Sequence, residues 1–250
     1  MTALPIHVDT LNRQARVERL ATVSASWSGA FHLREGRAAE NERPARPGLR
    51  RPQIGALYAA LAHATRSTDP ATIVMPTGTG KTETMLALNA HQRFERLPVV
   101  VPTDAQREQI AGKFETFGAL RQQQGLEDKA AFPVVMRLSH IPTTVAEVAE
   151  IFDSANVIVT TMQIASRAEA AVREQMAARA SALFIDEAHH IGAPTWARFR
   201  GLFVDREPPL TIVQFTATPF QTDPLRGRLR ARSGGRRSRD RGEARRSPPG

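Results

Sequence analysis

From residue 53 onward, apolar residues along this chain follow two periods that take turns. Short, wholly apolar runs recur at Thr72–Met75, Val99–Val101, Val157–Val159, Leu183–Ile185 and Ile212–Phe215. Consecutive apolar, β-branched residues suit strands covered on both faces, as in a parallel sheet. Helical periods separate them. Ile54, Leu57, Tyr58 and Leu61 keep the i, i+3, i+4, i+7 spacing of an amphipathic helix. Asp104 is placed to cap a helix whose Ile110, Phe114 and Phe117 share a face, and Ala168–Ala180 reads as another helix. Thr144 and Glu147 form a capping-box pattern ahead of Val148, Ala149 and Phe152. Strands alternating with helices predict an α/β domain with right-handed crossovers.

The two ends of the chain lack this order. In residues 1–48, Thr10 to Leu20 is a candidate short helix, Trp27, Phe31 and Leu33 are isolated apolar anchors, and Arg34–Pro52 reads as a solvated connector. From residue 223 the chain turns arginine-rich and is expected to be disordered, because it holds too few apolar residues to offset chain entropy. The net charge of +9 is concentrated there: Leu225 to Gly250 carries ten arginines against Asp240 and Glu243, so the remainder is near neutral. Three readings of this tail stand side by side: a nucleic-acid-binding arm, a terminus without function, or sequence read out of frame after about Asp223. The chain has no cysteine, which excludes disulfides and thiolate metal sites. No stretch has the length of a transmembrane helix, and the N-terminus lacks a secretory pattern, so a cytoplasmic protein is expected.

Two segments carry chemistry. In Met75-Pro-Thr-Gly-Thr-Gly-Lys-Thr82 an apolar strand runs into a glycine-containing turn, and Lys81-Thr82 opens a helix with Met85 and Leu88 on its apolar face. Backbone N–H groups of Gly78 to Thr82 are expected to converge on an anion there, with Pro76, Thr77 and Thr79 completing the loop. Lys81 would reach the β- and γ-phosphates of a nucleotide, and the Thr82 hydroxyl would bind Mg²⁺. The general pattern asks for glycine where Met75 stands. The second segment, Leu183-Phe-Ile-Asp-Glu-Ala-His-His190, sets Asp186 and Glu187 at the end of an apolar strand, where open α/β sheets bind ligands. Asp186 would hold magnesium, and Glu187 would orient and deprotonate an attacking water. A zinc site on His189 and His190 is rejected, because neighbours on extended chain face opposite ways and no other ligand has zinc spacing.

These segments, followed by Thr216-Ala-Thr218, resemble the first RecA-like domain of superfamily 2 helicases of the DEAD/DEAH-box group. The likeness is greatest to type III restriction-enzyme motor subunits and spans residues 49–222. It implies a RecA-like P-loop NTPase, a three-layer fold on a mainly parallel sheet, with ATP and Mg²⁺ as cofactors. Leu49-Arg-Arg-Pro-Gln53 is similar to the adenine-recognising Q motif, which assigns Gln53 to the nucleotide. Pro102 and Thr103, and then Thr160 and Thr161, resemble motifs that grip a nucleic-acid backbone. Thr216 and Thr218 resemble the motif that couples hydrolysis to nucleic-acid binding, and His189 the histidine that touches it. The resemblance implies a nucleic-acid-dependent ATPase with DNA, or else RNA, as its track and with no membrane partner. It also implies a second RecA-like domain carrying an arginine finger, which this sequence lacks, so a truncated chain with weak activity is expected. A second RecA-like domain, or a nuclease or modification subunit, would then come from another chain. Two other readings stay open: a catalytically deficient fragment that binds nucleotide or DNA beside a partner, and a P-loop ATPase unrelated to nucleic acid.

Overall fold

The structure, a computed structural model, describes residues 12–39, 45–189 and 193–218. In chain order the elements are α1 (Arg13–Ser26), α2 (Arg51–Ala64), β1 (Ala71–Val74), α3 (Lys81–Gln92), β2 (Leu97–Val101), α4 (Asp104–Thr116) and α5 (Ala119–Gln122). They continue with β3 (Val135–Leu138), α6 (Val145–Ser154), β4 (Val157–Thr161), α7 (Met162–Arg167), α8 (Ala170–Arg179), β5 (Ala182–Ile185), α9 (Pro194–Val204) and β6 (Thr211–Thr216). The six strands make one sheet in the order β1-β6-β5-β2-β4-β3, parallel throughout.

Every residue of β2, β4 and β5 is buried, as their unbroken apolar runs require of strands covered on both faces. One face packs on α2, α3 and α4 through a cluster that includes Leu57, Met85, Leu88, Phe114, Val99, Phe184 and Phe215. The other packs on α6 to α9 through Phe152, Met162, Val172, Met176, Phe199, Phe203, Ile158 and Ile185. The result is a three-layer α/β sandwich of RecA-like type. β1 is an edge strand whose Thr72 and Val74 are exposed, so it alternates where the inner strands do not.

The helix starts follow the residues that cap them. Thr103 and Thr144 each accept the N–H three residues on, opening α4 and α6. Half of the expected capping box at α6 forms, since the N–H of Glu147 donates to Thr144 Oγ1 at 3.0 Å. The Glu147 carboxylate accepts instead from the N–H of Thr143 at 2.8 Å, one residue before the cap. That bond, with His140 beside it, holds the carboxyl below its ordinary value. The helix expected over Ala168–Ala180 is α8, preceded by α7; β3, α5, α7 and α9 were not expected from the sequence.

The N-terminal segment departs most from expectation. α1 runs on to Ser26, and the segment after it enters the core. The Trp27 indole is 1% exposed, meets Phe117 edge-on with centroids 5.6 Å apart, and donates from Nε1 to the Ala131 carbonyl at 2.8 Å. Asn156 donates to the Leu20 carbonyl at 3.0 Å. Arg13 and Arg179 both reach the buried carboxylate of Asp153, at 2.7 and 2.9 Å, joining α1, α6 and α8. The expected connector is paired with itself: Gly36 N–H donates to the Leu49 carbonyl and Leu49 N–H to the Arg34 carbonyl, both at 2.8 Å. A Cβ on Gly48 would stand 2.5 Å from the Gly36 nitrogen, so only glycine fits that approach. The expectations for residues 1–11 and for the arginine-rich tail fall outside the described residues.

Trp27→Ala should lower unfolding free energy by about 3–5 kcal/mol in chemical denaturation, as for a fully buried aromatic. A loss below about 1 kcal/mol would place residues 12–39 outside the cooperative core.

Candidate nucleotide site at the carboxyl edge of the sheet

β1 leads straight into the loop expected to cradle phosphate. The Met75 N–H donates to the Thr216 carbonyl at 2.8 Å, extending the β1–β6 ladder by one residue. Met75 is 3% exposed, and its sulfur accepts the Thr84 hydroxyl at 3.5 Å. The side chain at the pattern's first glycine position therefore turns into the core and leaves the cradle clear. Gly78 and Gly80 sit at φ +82° and +96°, left-handed positions that favour glycine. Pro76 and Thr77 are exposed, and the N–H and hydroxyl of Thr79 both donate to the Pro76 carbonyl, at 3.2 and 2.6 Å. α3 starts at Lys81 with no side-chain cap, which leaves its first N–H groups available to an anion, and half-buried Thr82 lies in that first turn.

The acidic pair stands opposite. The Asp186 N–H donates to the Val100 carbonyl at 2.8 Å, fixing Asp186 at the carboxyl end of β5. Lys81 reaches across and donates its amine to Glu187 Oε1, with Asp186 Oδ1 at 3.7 Å, beyond hydrogen-bonding range. Asp186 Oδ1 is buried and has no hydrogen-bond partner. Burial pushes the Asp186 carboxyl above its ordinary value; Lys81 and the Glu187 N–H pull the other way and prevail less. Glu187 has φ +48°, an uncommon conformation for a residue with a side chain and one found most at functional sites. Its other oxygen lies 3.2 Å from His189 Nδ1, which is 3.4 Å from the Thr216 hydroxyl at the end of β6. Thr216 and Thr218 close a small turn, the hydroxyl of Thr216 bonding the Thr218 carbonyl and N–H at 3.2 and 3.3 Å. Lys81, Asp186, Glu187, His189 and Thr216 thus meet at one point. His190 lies outside the described residues.

Gln53 is 1% exposed at the start of α2, its Oε1 accepting the Arg50 N–H at 2.8 Å. Its Nε2 is buried without a partner and packs on Gly80, where an added Cβ would collide with it. Arg50, absent from the sequence-derived set, donates from Nη1 to the Gly78 carbonyl at 2.9 Å. The signal available in sequence was its place three residues before Gln53.

The residues assigned to a nucleic-acid backbone divide. Pro102 is half-buried, and Thr103 is exposed as the cap of α4. Thr161 is buried, 4% exposed; it caps α7 at the wall of an open cleft of about 380 Å³ lined also by Asp104, Arg107, His140, Gln163 and Arg167. Thr160 is 0% exposed, and its hydroxyl donates to the Leu138 carbonyl at 3.3 Å, so it faces the protein interior. Two of the cleft's basic groups face acids, Arg107 with Asp104 at 2.7 Å and His140 with Glu147 at 2.6 Å. Among the described residues no cluster of three His, Asp or Glu side chains suits a metal ion, and no helix is long and apolar enough to cross a membrane.

A parallel sheet with a glycine loop entering a helix beside an acidic strand end defines a helicase-type P-loop domain of the RecA-like class. The family of type III restriction enzyme res subunits (ResIII) matches residues 46–221, and the chain belongs to that family. Its structure is similar to the Pyrococcus furiosus Hef helicase domain, with 22% identity and a TM-score of 0.46 over 71% of this chain and 35% of that one. A second similar structure is a nuclease-deletion mutant of the Type ISP restriction-modification enzyme LlaGI in complex with a DNA substrate mimic. Identity there is 18% and the TM-score 0.42, over 68% of this chain and 17% of that one. The chain therefore spans well under two thirds of either protein. No curated protein matches the sequence.

Burial of the ionised Asp186 carboxyl costs the fold stability. Its folded pKa lies above the ordinary 3.8, so the folded state binds the proton more tightly and loses stability as pH rises through that window. Without nucleotide at neutral pH, Asp186→Asn should melt at a higher temperature than the parent, and the gap should close as the pH is taken below the ordinary carboxyl value. Thermal melts across pH check this; a lower midpoint for the variant at neutral pH would contradict it.

Proposed function

We propose that this domain binds ATP with Mg²⁺ and hydrolyses it in response to nucleic acid, with DNA the first candidate and RNA the rival. The observation that carries the reading is the meeting of Lys81, at the mouth of an uncapped helix, with Asp186 and Glu187 at a neighbouring strand end. The residues fit the ligand: Asp186 holds a buried oxygen without a hydrogen-bond partner, which a cation would satisfy, and the loop offers N–H groups at two left-handed glycines.

The N–H groups of Gly78 and of Gly80 to Thr82 would surround the phosphates, with Pro76, Thr77 and Thr79 shaping the loop through the Thr79 N–H bond to the Pro76 carbonyl. Lys81 exchanges the Glu187 carboxylate for a phosphate oxygen. Thr82 and Asp186 would hold the magnesium ion. Glu187, released from Lys81, orients a water and takes its proton. His189 bridges Glu187 to Thr216, and Thr218 fixes the Thr216 turn, so a change at the end of β6 reaches the base. Gln53 would face the adenine side of the loop, and Pro102 and Thr103 would offer a face to a nucleic-acid backbone that buried Thr160 and Thr161 support from within. Bound ATP–Mg²⁺ supplies the phosphoanhydride and the cation that neutralises its charge. A cytoplasmic location suits a chain without cysteine.

A second reading is favoured by Glu187, whose two oxygens face Lys81 and His189. With the base so occupied, the domain would bind nucleotide and turn over only beside a partner chain supplying a second RecA-like domain, a nuclease or a modification subunit.

Turnover of the purified chain, with and without DNA or RNA, separates these readings. ATPase activity stimulated by nucleic acid is expected; affinity without turnover favours the second reading. Lys81→Ala should lose nucleotide binding. Glu187→Gln should keep it while turnover falls at least about 10²-fold, the scale of a lost general base. Stimulated hydrolysis unchanged in Lys81→Ala would remove the assignment.

A further inference from the structure

A loop with two left-handed glycines has no strong preference of its own among several backbone shapes, because glycine populates positive and negative φ alike. The phosphate-cradling shape is one of these, and something outside the loop has to favour it. Its demand is simple: the N–H groups that bind the anion point inward, and no carbonyl oxygen does. A carbonyl turned inward would set its negative end against the polyphosphate.

The peptide joining Gly78 and Thr79 is held at both ends. Its N–H donates to the Pro76 carbonyl at 3.2 Å, and its carbonyl accepts Arg50 Nη1 at 2.9 Å. The second guanidinium nitrogen lies over Gly80, 2.9 Å from where a Cβ would stand. Arg50 is in turn fixed by the helix it precedes. It is the cap residue of α2, and its own N–H donates to Gln53 Oε1 at 2.8 Å, so Gln53 packs beneath Gly80 while Arg50 reaches over to Gly78. The start of α2 thus forms a two-pronged bracket around the outer side of the loop. Arg51 does not share this duty; it pairs with Glu35 at 2.6 Å.

We infer that Arg50 is a positioning residue for the phosphate loop: by taking the Gly78 carbonyl it keeps that oxygen turned away from the anion. The inference rests on the nucleotide reading given above. Its own content is the direction of one peptide, and this can be read without any nucleotide. The bond is charge-assisted, and such bonds contribute more than neutral ones. A population shift of that size would appear as weaker apparent affinity, because only the outward-carbonyl fraction binds.

The test uses the full chain and three forms: the parent, Arg50→Met, which keeps length but has no donor, and Arg50→Lys, which restores one. Hydrogen exchange over residues 75–82, without nucleotide, should be several-fold faster in Arg50→Met and close to the parent in Arg50→Lys. Titration with fluorescent ADP should show about tenfold weaker binding for Arg50→Met, recovered in large part by Arg50→Lys. In turnover, KM for ATP should rise while kcat stays within about twofold, since the contact is made alike in ground and transition states. The binding deficit should persist at about 1 M salt, where the Debye length is about 3 Å and long-range attraction to phosphate is screened. Equal exchange and affinity in Arg50→Met and the parent would overturn the inference, as would a deficit that vanishes at high salt. A parent chain that binds no adenine nucleotide would remove the functional reading, while the exchange comparison would still decide the role of Arg50.

Discussion

The site depends on β6 lying between β1 and β5. The chain leaves β1, crosses to β2 in the middle of the sheet, builds β3 and β4 outward, and then returns to fill the gap with β5 and β6. Because all six strands are parallel, this order brings three carboxyl ends side by side. The glycine loop lies about a hundred positions before the acidic pair and the Thr216 turn about thirty after it, yet the strand order sets the three side by side and the Lys81 side chain spans what remains. The ladder from Met75 to the Thr216 carbonyl fixes the loop's starting height to within one hydrogen bond. Burial of β2 and β5 on both faces keeps the platform from shifting, since a strand covered on both sides has one register that satisfies its neighbours.

That platform is used to hold charges where folding alone would not put them. Asp186 is buried with an oxygen left without a hydrogen-bond partner, and Glu187 is in a left-handed conformation that disfavours side chains. Gln53 adds a buried amide nitrogen lacking a partner directly beside the loop. Each feature opposes stability, on the order of 1–3 kcal/mol for an unsatisfied buried polar group. All three lie beside the loop, where the proposed ligand would satisfy the unpaired groups. Unpartnered buried atoms also occur away from it, at Asn89 and at Arg179 Nε, and left-handed residues at the helix ends Arg93 and Phe117, so it is their meeting beside Lys81 that sets this place apart.

How far the sequence revealed this follows from how local each signal is. The inner strands were legible because unbroken apolar runs have one comfortable home, and Lys81, Thr82, Asp186 and Glu187 because their motifs sit at strand ends. β3 was missed since only Leu138 of its four residues is fully buried, so Val135-Met-Arg-Leu138 carries no clear period. Trp27 looked like an isolated anchor because its partners, Phe117 and the Ala131 carbonyl, are about ninety and a hundred residues away. Thr160 and Thr161 are neighbours of the same type, and the alternation of a strand sends one inward to Leu138 and leaves the other to cap α7. Arg50 stands in the same segment as Gln53, but its place there does not say that the Gly78 carbonyl lies within its reach. Likewise the family match begins at residue 46, whereas the core it covers is completed by α1 and Trp27.

Composition sharpens the role of Lys81. The chain has 31 arginines and only three lysines, Lys81, Lys113 and Lys129. The two cations that fix α1 and α8 to Asp153 are arginines, as is the one bracing the Gly78 carbonyl. Planar forks with several donors suit such sites, where one group serves a fixed carboxylate or carbonyl. Lys113 and Lys129 lie at partly exposed ion pairs with Glu83 and Glu127, at 3.5 and 2.9 Å, where either cation would do. At position 81 the geometry differs. The amine faces Glu187 and Asp186 together. A compact point charge with rotatable donors can leave a carboxylate and take up a phosphate without moving its stem, whereas a rigid fork commits to one partner's plane. In a chain that otherwise uses arginine almost throughout, the lysine stands where the proposed function asks a cation to change partners.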